Sequence, residues 1–280
     1  MTNKLQNLPF GTNTSYEDSH IYLLSQLRPA GTKLLLDPRK SDVGDLVKLT
    51  LFDLVLKQVL LVKKAFRKAH PRDKYAREYI VVETGKNFNS YQPIPFESYF
   101  TDIIDEDSYY QLRSFIRSLA EDLPRKAYYK RNIIKDLHIK DLFRANYLLP
   151  DLDWLRTSKK GKMVREDIET FMQDVDENIA QMVEKEPKKA MELIRLLGGN
   201  IFLLENLQFE VLKELKNIPM ERSASRPDGE WAWIDLITEL DVSVFDVFDE
   251  LSDLFEDIDD YFDFSDFSDG WDGDFDVGFD

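Results

Sequence analysis

The chain has 280 residues, 53 acidic against 37 basic, 11 Gly, 11 Pro, no Cys and 43% apolar content. This suits an ordinary globular protein of one large or two small domains and excludes fibrous, collagen-like and disulfide-stapled architectures. Without cysteine there is no thiolate catalysis and no Cys-based zinc or iron–sulfur site, which leaves carboxylate, His, Lys and hydroxyl chemistry.

The net charge of −16 is unevenly spread: residues 241–280 hold sixteen Asp or Glu and no Lys or Arg, leaving 37 acids against 37 bases in residues 1–240. A neutral body therefore carries a polyanionic C-terminal segment. Phosphates repel such a segment, whereas a basic protein surface attracts it.

Residues 1–30 read as an N-terminal extension with one short helix over 19–27, because Pro29, Gly31 and Pro38 punctuate the chain directly after it. The stretch 1–16 has no apolar h-region, and the greasiest run, 49–62, is interrupted by Asp53 and Lys57 and is too short to cross a bilayer. These features predict a cytoplasmic protein with no membrane span. From 42 to 57, Val43, Leu46, Val47, Thr50, Leu51, Leu54 and Val55 recur at helical spacing, with Ser41 or Asp42 as N-cap. Val59-Leu60-Leu61-Val62 either extends this helix or forms a strand. Tyr79-Ile80-Val81-Val82-Glu83-Thr84 is the clearest strand of the chain, and a polar connection with His70-Pro71-Arg72-Asp73 precedes it.

Helix, strand, polar turn, strand is the order of the latter part of a winged-helix domain, and residues 31–95 resemble that superfamily in pattern. Lys57-Gln58 occupy the place where a Gly commonly separates the helix from the first wing strand, so one long uninterrupted helix is the other reading. If the resemblance holds, Lys63, Lys64, Arg67, Lys68, Arg72 and Lys74 lie on and beside the wing, where phosphate contacts are made.

Pro93 and Pro95 mark a linker, and residues 96–218 read as a helical domain. Apolar stripes predict helices over 105–120 (Tyr109, Leu112, Phe115, Ile116, Leu119), 125–149 (Ile133, Ile134, Leu137, Leu142) and 165–184 (Ile168, Phe171, Met172, Val175, Ile179). Asp102, Asp105, Glu106 and Asp107 read as first-turn acids, and His138 and Asp141 share the second of these helices. Pro187 opens a short helix that Gly198-Gly199 close, and another follows over 201–218. A second basic stretch, 125–144, interleaves Lys126, Lys130, Arg131 and Lys135 with Tyr128 and Tyr129, as an anion-binding face would. His20, His70 and His138 sit in unrelated contexts and make no ligand pair. No Gly-rich phosphate loop occurs, so no cofactor is assigned.

Residues 219–280 read as an acidic tail. Trp231, Trp233, Ile234 and Leu240 suggest one helix. Residues 244–262 then form a strongly amphipathic one, with Phe245, Phe248, Leu251, Phe255, Ile258 and Phe262 on one side and carboxylates on the other. With no Lys or Arg to relieve repulsion, that helix needs a surface to lie on. Beyond it, Phe267, Trp271, Phe275 and Phe279 recur among Asp, Ser and Gly in a stretch expected to be disordered alone. Such acid-flanked aromatics suit pockets rimmed by Lys and Arg. Asp272, Asp274 and Asp276 have the spacing of a calcium loop, but Val277 stands where its Gly is required, so no metal site is assigned.

The expected class is therefore α+β, mostly α-helical: a small winged-helix-like element, a helical region and an acidic aromatic-rich tail. The expected function is non-enzymatic protein interaction through Phe245, Phe248, Phe255, Phe262, Phe267, Trp271, Phe275 and Phe279 with a basic surface, intra- or intermolecular. The alternative is a DNA-associated regulator with a basic winged-helix-like face modulated by the tail.

Overall fold

The computed structural model describes residues 18–68, 74–105, 108–124, 126–144 and 155–204. Most of the helix predicted over 201–218 and the whole acidic segment lie outside them. The described chain is mixed α+β and mostly helical, with a small antiparallel sheet. No helix among the described residues is long and apolar enough to cross a membrane.

α1 (Asp18–Leu36) passes through Pro29 and Gly31, where the sequence predicts a break. It bends instead of ending: Arg28 takes φ 54 and ψ 162, and the second segment starts at Pro29. A residue before proline is driven out of the α region, and proline tolerates a first helical turn because its missing N–H has no partner there anyway. Leu24, Leu27, Ala30, Leu34 and Leu35 are all buried, so packing carries the helix across the bend.

α2 (Val43–Leu56) buries every residue except Asp45 and Lys48, as befits a helix at the centre of a core. α1, α5, β1 and a 3-10 segment (Gly198–Leu203) pack around it. It closes with Gln58 at φ 54, where the Gln58 N–H donates to Val55 O and the Val59 N–H to Leu54 O, both at 2.9 Å. This is a Schellman closure with glutamine in the left-handed position that glycine usually holds. Of the two readings of residues 59–66, the strand is the one formed: β1 (Leu60–Arg67).

β2 (Arg77–Thr84) pairs antiparallel with β1 from Leu60↔Thr84 to Arg67↔Arg77. The turn after β2 fastens to the end of α2. Gly85 N donates to Val59 O (2.8 Å), Asn87 N to Gln58 O (2.9 Å) and Asn87 Nδ2 to Lys57 O (2.9 Å). Gly85 is required by this approach, since a Cβ there would lie 2.1 Å from Gln58 O.

α3 (Pro95–Thr101) follows. The start of the helix predicted over 105–120 is instead β3 (Tyr109–Gln111), which pairs with Val81, Val82 and Glu83 of β2. Its aromatic pair suits a sheet edge better than a helix start. α4 (Leu112–Asp122) buries the predicted stripe of Leu112, Phe115, Ile116 and Leu119.

α5 (Lys126–Asp136) is shorter than predicted, because His138 turns left-handed (φ 57) and a 3-10 turn (Lys140–Leu142) leads into β4 (Phe143–Arg144), which pairs with β5 (Arg156–Thr157). α6 (Lys159–Lys185) is capped by Ser158, whose Oγ accepts from Gly161 N at 3.0 Å. α7 (Pro187–Leu197) ends at the predicted Gly198, with φ 53. The buried apolar residues form one cluster running from Leu24 to Leu204.

Candidate functional site

Two features stand out among the described residues, one inside the core and one projecting from it. The interior feature is a set of ionic side chains where the α1 bend, the end of α2, the turn after β2 and the start of α3 converge. The Lys57 ammonium forms an ion pair with Asp53 Oδ2, one helical turn back, and lies 3.8 Å from Glu97 Oε1. Lys57, Asp53 and Glu97 side chains are only 17%, 7% and 1% exposed. Tyr91 donates its phenolic O–H to Glu97 Oε2 (2.7 Å), which also accepts the Ile94 N–H (3.1 Å) at the first turn of α3. Lys57 Nζ sits 5.8 Å from the centroid of the Tyr91 ring.

Arg28 supplies the second cation. Burial works against its charge, but Asp53, Tyr91 and Glu97 together outweigh that and hold its pKa above the ordinary arginine value. For Lys57 the balance goes the other way. Burial, and then the charge of Arg28, lower its pKa against the pull of Asp53 and Glu97. Burial, reinforced by the Glu97 carboxylate, pushes the Tyr91 phenol up. Two cations thus face two carboxylates with no net charge, the condition under which such groups tolerate the interior.

Gly199 closes the set from the 3-10 segment. A Cβ there would fall 2.6 Å from both Asp53 Oδ1 and Pro29 Cγ, so only glycine lets this segment lie against the bend. Beside it, buried Asn200 Nδ2 donates to Leu24 O (3.2 Å) and Leu197 O (3.1 Å), and its Oδ1 accepts the Thr32 hydroxyl (2.7 Å). Donors from one side chain thereby satisfy carbonyls at the ends of two helical segments. Chemically the set contains an amine hydrogen-bonded to one carboxylate and a phenol hydrogen-bonded to the other, and mechanically it ties four segments together. The sequence reading missed Arg28, Tyr91 and Glu97. The available signal was Asp53 and Lys57, a charged i,i+4 pair inside an otherwise apolar run.

The projecting feature is the outer half of the β1–β2 hairpin. β3 pairs only with Val81, Val82 and Glu83, so beyond Ile80 the hairpin is a two-stranded ribbon. Its inner end is buried through Val62, Val81 and Val82. At its outer end Phe66 and Tyr75 are 72% and 80% exposed, the highest values of any aromatic side chains among the described residues. Of the predicted cationic positions, Lys63, Lys64 and Arg67 lie in β1, while Lys68 follows it and Lys74 precedes β2. Lys64, Lys68 and Lys74 are exposed, and Lys63 pairs with Glu83 Oε2 at 2.6 Å. The register sets Arg67 opposite Arg77. Arg72 lies outside the described residues, as do Phe245, Phe248, Phe255, Phe262, Phe267, Trp271, Phe275 and Phe279.

The described part of the basic stretch 125–144 is divided between the core and the surface. α5 packs against α2 and α3, so Tyr129 and Lys130 are buried, while Tyr128 is exposed with the Arg131 guanidinium 5.8 Å over its ring. Of the histidines, His20 stacks on Phe171 (5.5 Å, 4°), His138 stands in the left-handed turn after α5, not within a helix shared with Asp141, and His70 is outside the described residues. Among the described residues no group of three or more His, Asp or Glu is placed to hold a metal ion. Compared with known proteins, the chain matches no family model, no curated protein and no solved structure.

Proposed function

We propose that this is a non-enzymatic interaction or adaptor protein whose acidic, aromatic C-terminal segment binds a basic protein surface. The observation that carries the reading is compositional: residues 241–280 combine sixteen carboxylates and ten aromatics with no Lys or Arg. Burying each Phe contributes roughly 1.5–3 kcal/mol, against a fraction of a kcal/mol for an exposed charge pair. Aromatics therefore supply the affinity, and carboxylates select a basic surface and steer the approach.

The test compares the full chain with Phe248→Ser/Phe255→Ser and with Asp253→Asn/Asp260→Asn for capture of basic proteins from extract. The aromatic pair is expected to abolish capture, and the amide pair to weaken it and reduce its salt sensitivity. Equal capture by all three proteins would overturn the reading.

A second reading is favoured by the projecting hairpin. A DNA-associated regulator would use residues 31–95 as a winged-helix-like element, with Lys63, Lys64, Arg67, Lys68, Arg72 and Lys74 on phosphates. Lys68→Gln/Lys74→Gln should then weaken duplex DNA binding uniformly across sequences and lower its salt slope by about 2. Negligible DNA binding at low salt both by the full chain and by a variant lacking residues 241–280 removes this reading.

A further inference from the structure

The ribbon beyond Ile80 has an unusual composition for a surface. Residues 64–68 and 74–80 contain five Lys or Arg against one acid, Glu78. Amid this positive charge stand Phe66 and Tyr75, 72% and 80% exposed. An isolated two-stranded ribbon is marginal in water, and apolar side chains at its end gain only when something covers them.

We infer that residues 244–262 of this same chain dock across the outer ribbon, with their Phe-rich side on Phe66 and Tyr75 and their carboxylates toward Lys68 and Lys74. The inference rests on the proposed role of the acidic segment and names the surface it uses at rest. Charge complementarity is the first argument: the ribbon's cations meet a segment with eight acids and no base. The apolar sides are complementary too, because each presents aromatics that the other can cover.

Reach is the second argument. The described chain ends at Leu204, which leaves 39 residues before position 244. Even wholly helical, a stretch of that length spans about 58 Å, against a radius of gyration near 17 Å for a body of about 200 residues. Every face is therefore within range, and the tether raises the local concentration of the segment to about the millimolar level. A second copy at ordinary protein concentration cannot match that, so the contact forms within one chain. A phosphate backbone or partner protein approaching the ribbon must first displace the segment, and occupation of one element thereby exposes the other.

The experiment uses the full chain. Carbodiimide cross-linking joins Asp or Glu to nearby Lys without a spacer, and amide hydrogen exchange is followed over 244–262. The expected result is intramolecular cross-links from acids of 244–262 to Lys68 and Lys74, unchanged over a tenfold range of protein concentration. Phe66→Ser/Tyr75→Ser should speed exchange across 244–262 at least about tenfold. Lys68→Glu/Lys74→Glu, which leaves the aromatics in place, should do the same at low salt. Met163→Ser, at an exposed position of α6, should change nothing.

Protection of 244–262 that survives both hairpin variants, or cross-links that map to another basic surface, would overturn this inference while leaving the proposed function intact. Cross-links between copies that grow with concentration would overturn it in favour of self-association. Absence of both protection and cross-links would overturn it too, and capture of basic proteins would then decide the proposed function separately.

Discussion

Replacing Lys57 by Met tests how far the interior ionic set holds the fold together. Methionine keeps the length and apolar stem of lysine but removes the cation from between Asp53 and Glu97, whose side chains are 7% and 1% exposed. One carboxylate then remains opposite Arg28, and the other is buried without a counter-charge. Breaking a buried pair from one side costs about 3–5 kcal/mol, whereas removing both members at once is often close to neutral. Lys57→Met is therefore expected to lose about 3–5 kcal/mol, and Lys57→Met/Asp53→Leu, which leaves Arg28 with Glu97, to recover most of that loss. In urea, with a slope of about 2–3 kcal/mol/M, the single variant should unfold about 1–2.5 M earlier at unchanged slope. A shift corresponding to less than about 1 kcal/mol would mean that solvent screens Lys57 as on a surface, and the reasoning would fail. Equal shifts for the single and double variants would show that packing, not charge, sets the cost.

Alkaline pH should destabilise the protein through two phenols. Burial raises both Tyr91 and Tyr129 above their ordinary value of 10. The stability they contribute is present below pH 10 and is lost above it, where the unfolded chain releases protons that the folded chain keeps, at about 1.4 kcal/mol per pH unit each. Lys57, whose pKa is lowered, acts in the opposite sense, but only up to its unfolded value of 10.5. Unfolding free energies measured between pH 9 and 12 should fall above about pH 10.5, and Tyr91→Phe or Tyr129→Phe should each remove about half of that slope. His138→Gly should stabilise by about 0.5–1 kcal/mol by relieving the left-handed φ of an exposed residue, as read by thermal unfolding. Gly85→Ala should cost at least about 1–3 kcal/mol, because its Cβ would meet a backbone carbonyl that cannot rotate away, and slower unfolding than the parent would refute that.

Period and spacing made much of the helical region legible. The stripes through Leu112 to Leu119 and Ile168 to Ile179, and the Pro187 start and Gly198 stop of α7, are local patterns that the structure keeps. The α2 helix was also legible, but its all-round burial was not, because burial depends on what surrounds a helix. Breaks were harder to read. Pro29 and Gly31 suggested an end to α1 because local rules price a missing donor and a kink, yet Asn200, far along the chain, supplies hydrogen bonds at that junction. At Gln58 the opposite occurred. The familiar glycine is absent, and glutamine accepts a left-handed conformation because Asn87 and Gly85 fasten the turn from outside.

The sequence by itself determined the class of elements, the neutral body with its polyanionic end, and the concentration of aromatics there, since these follow from composition and periodicity. Only the tertiary structure decided that Arg28, Asp53, Lys57, Tyr91 and Glu97 form one electroneutral set, and that Phe66 and Tyr75 are left outside the core. The physical reason is the range of the interactions. Helix periodicity and capping act over three or four residues, whereas a buried charge is tolerated only if counter-charges arrive from elsewhere in the chain, and those arrivals are a property of packing.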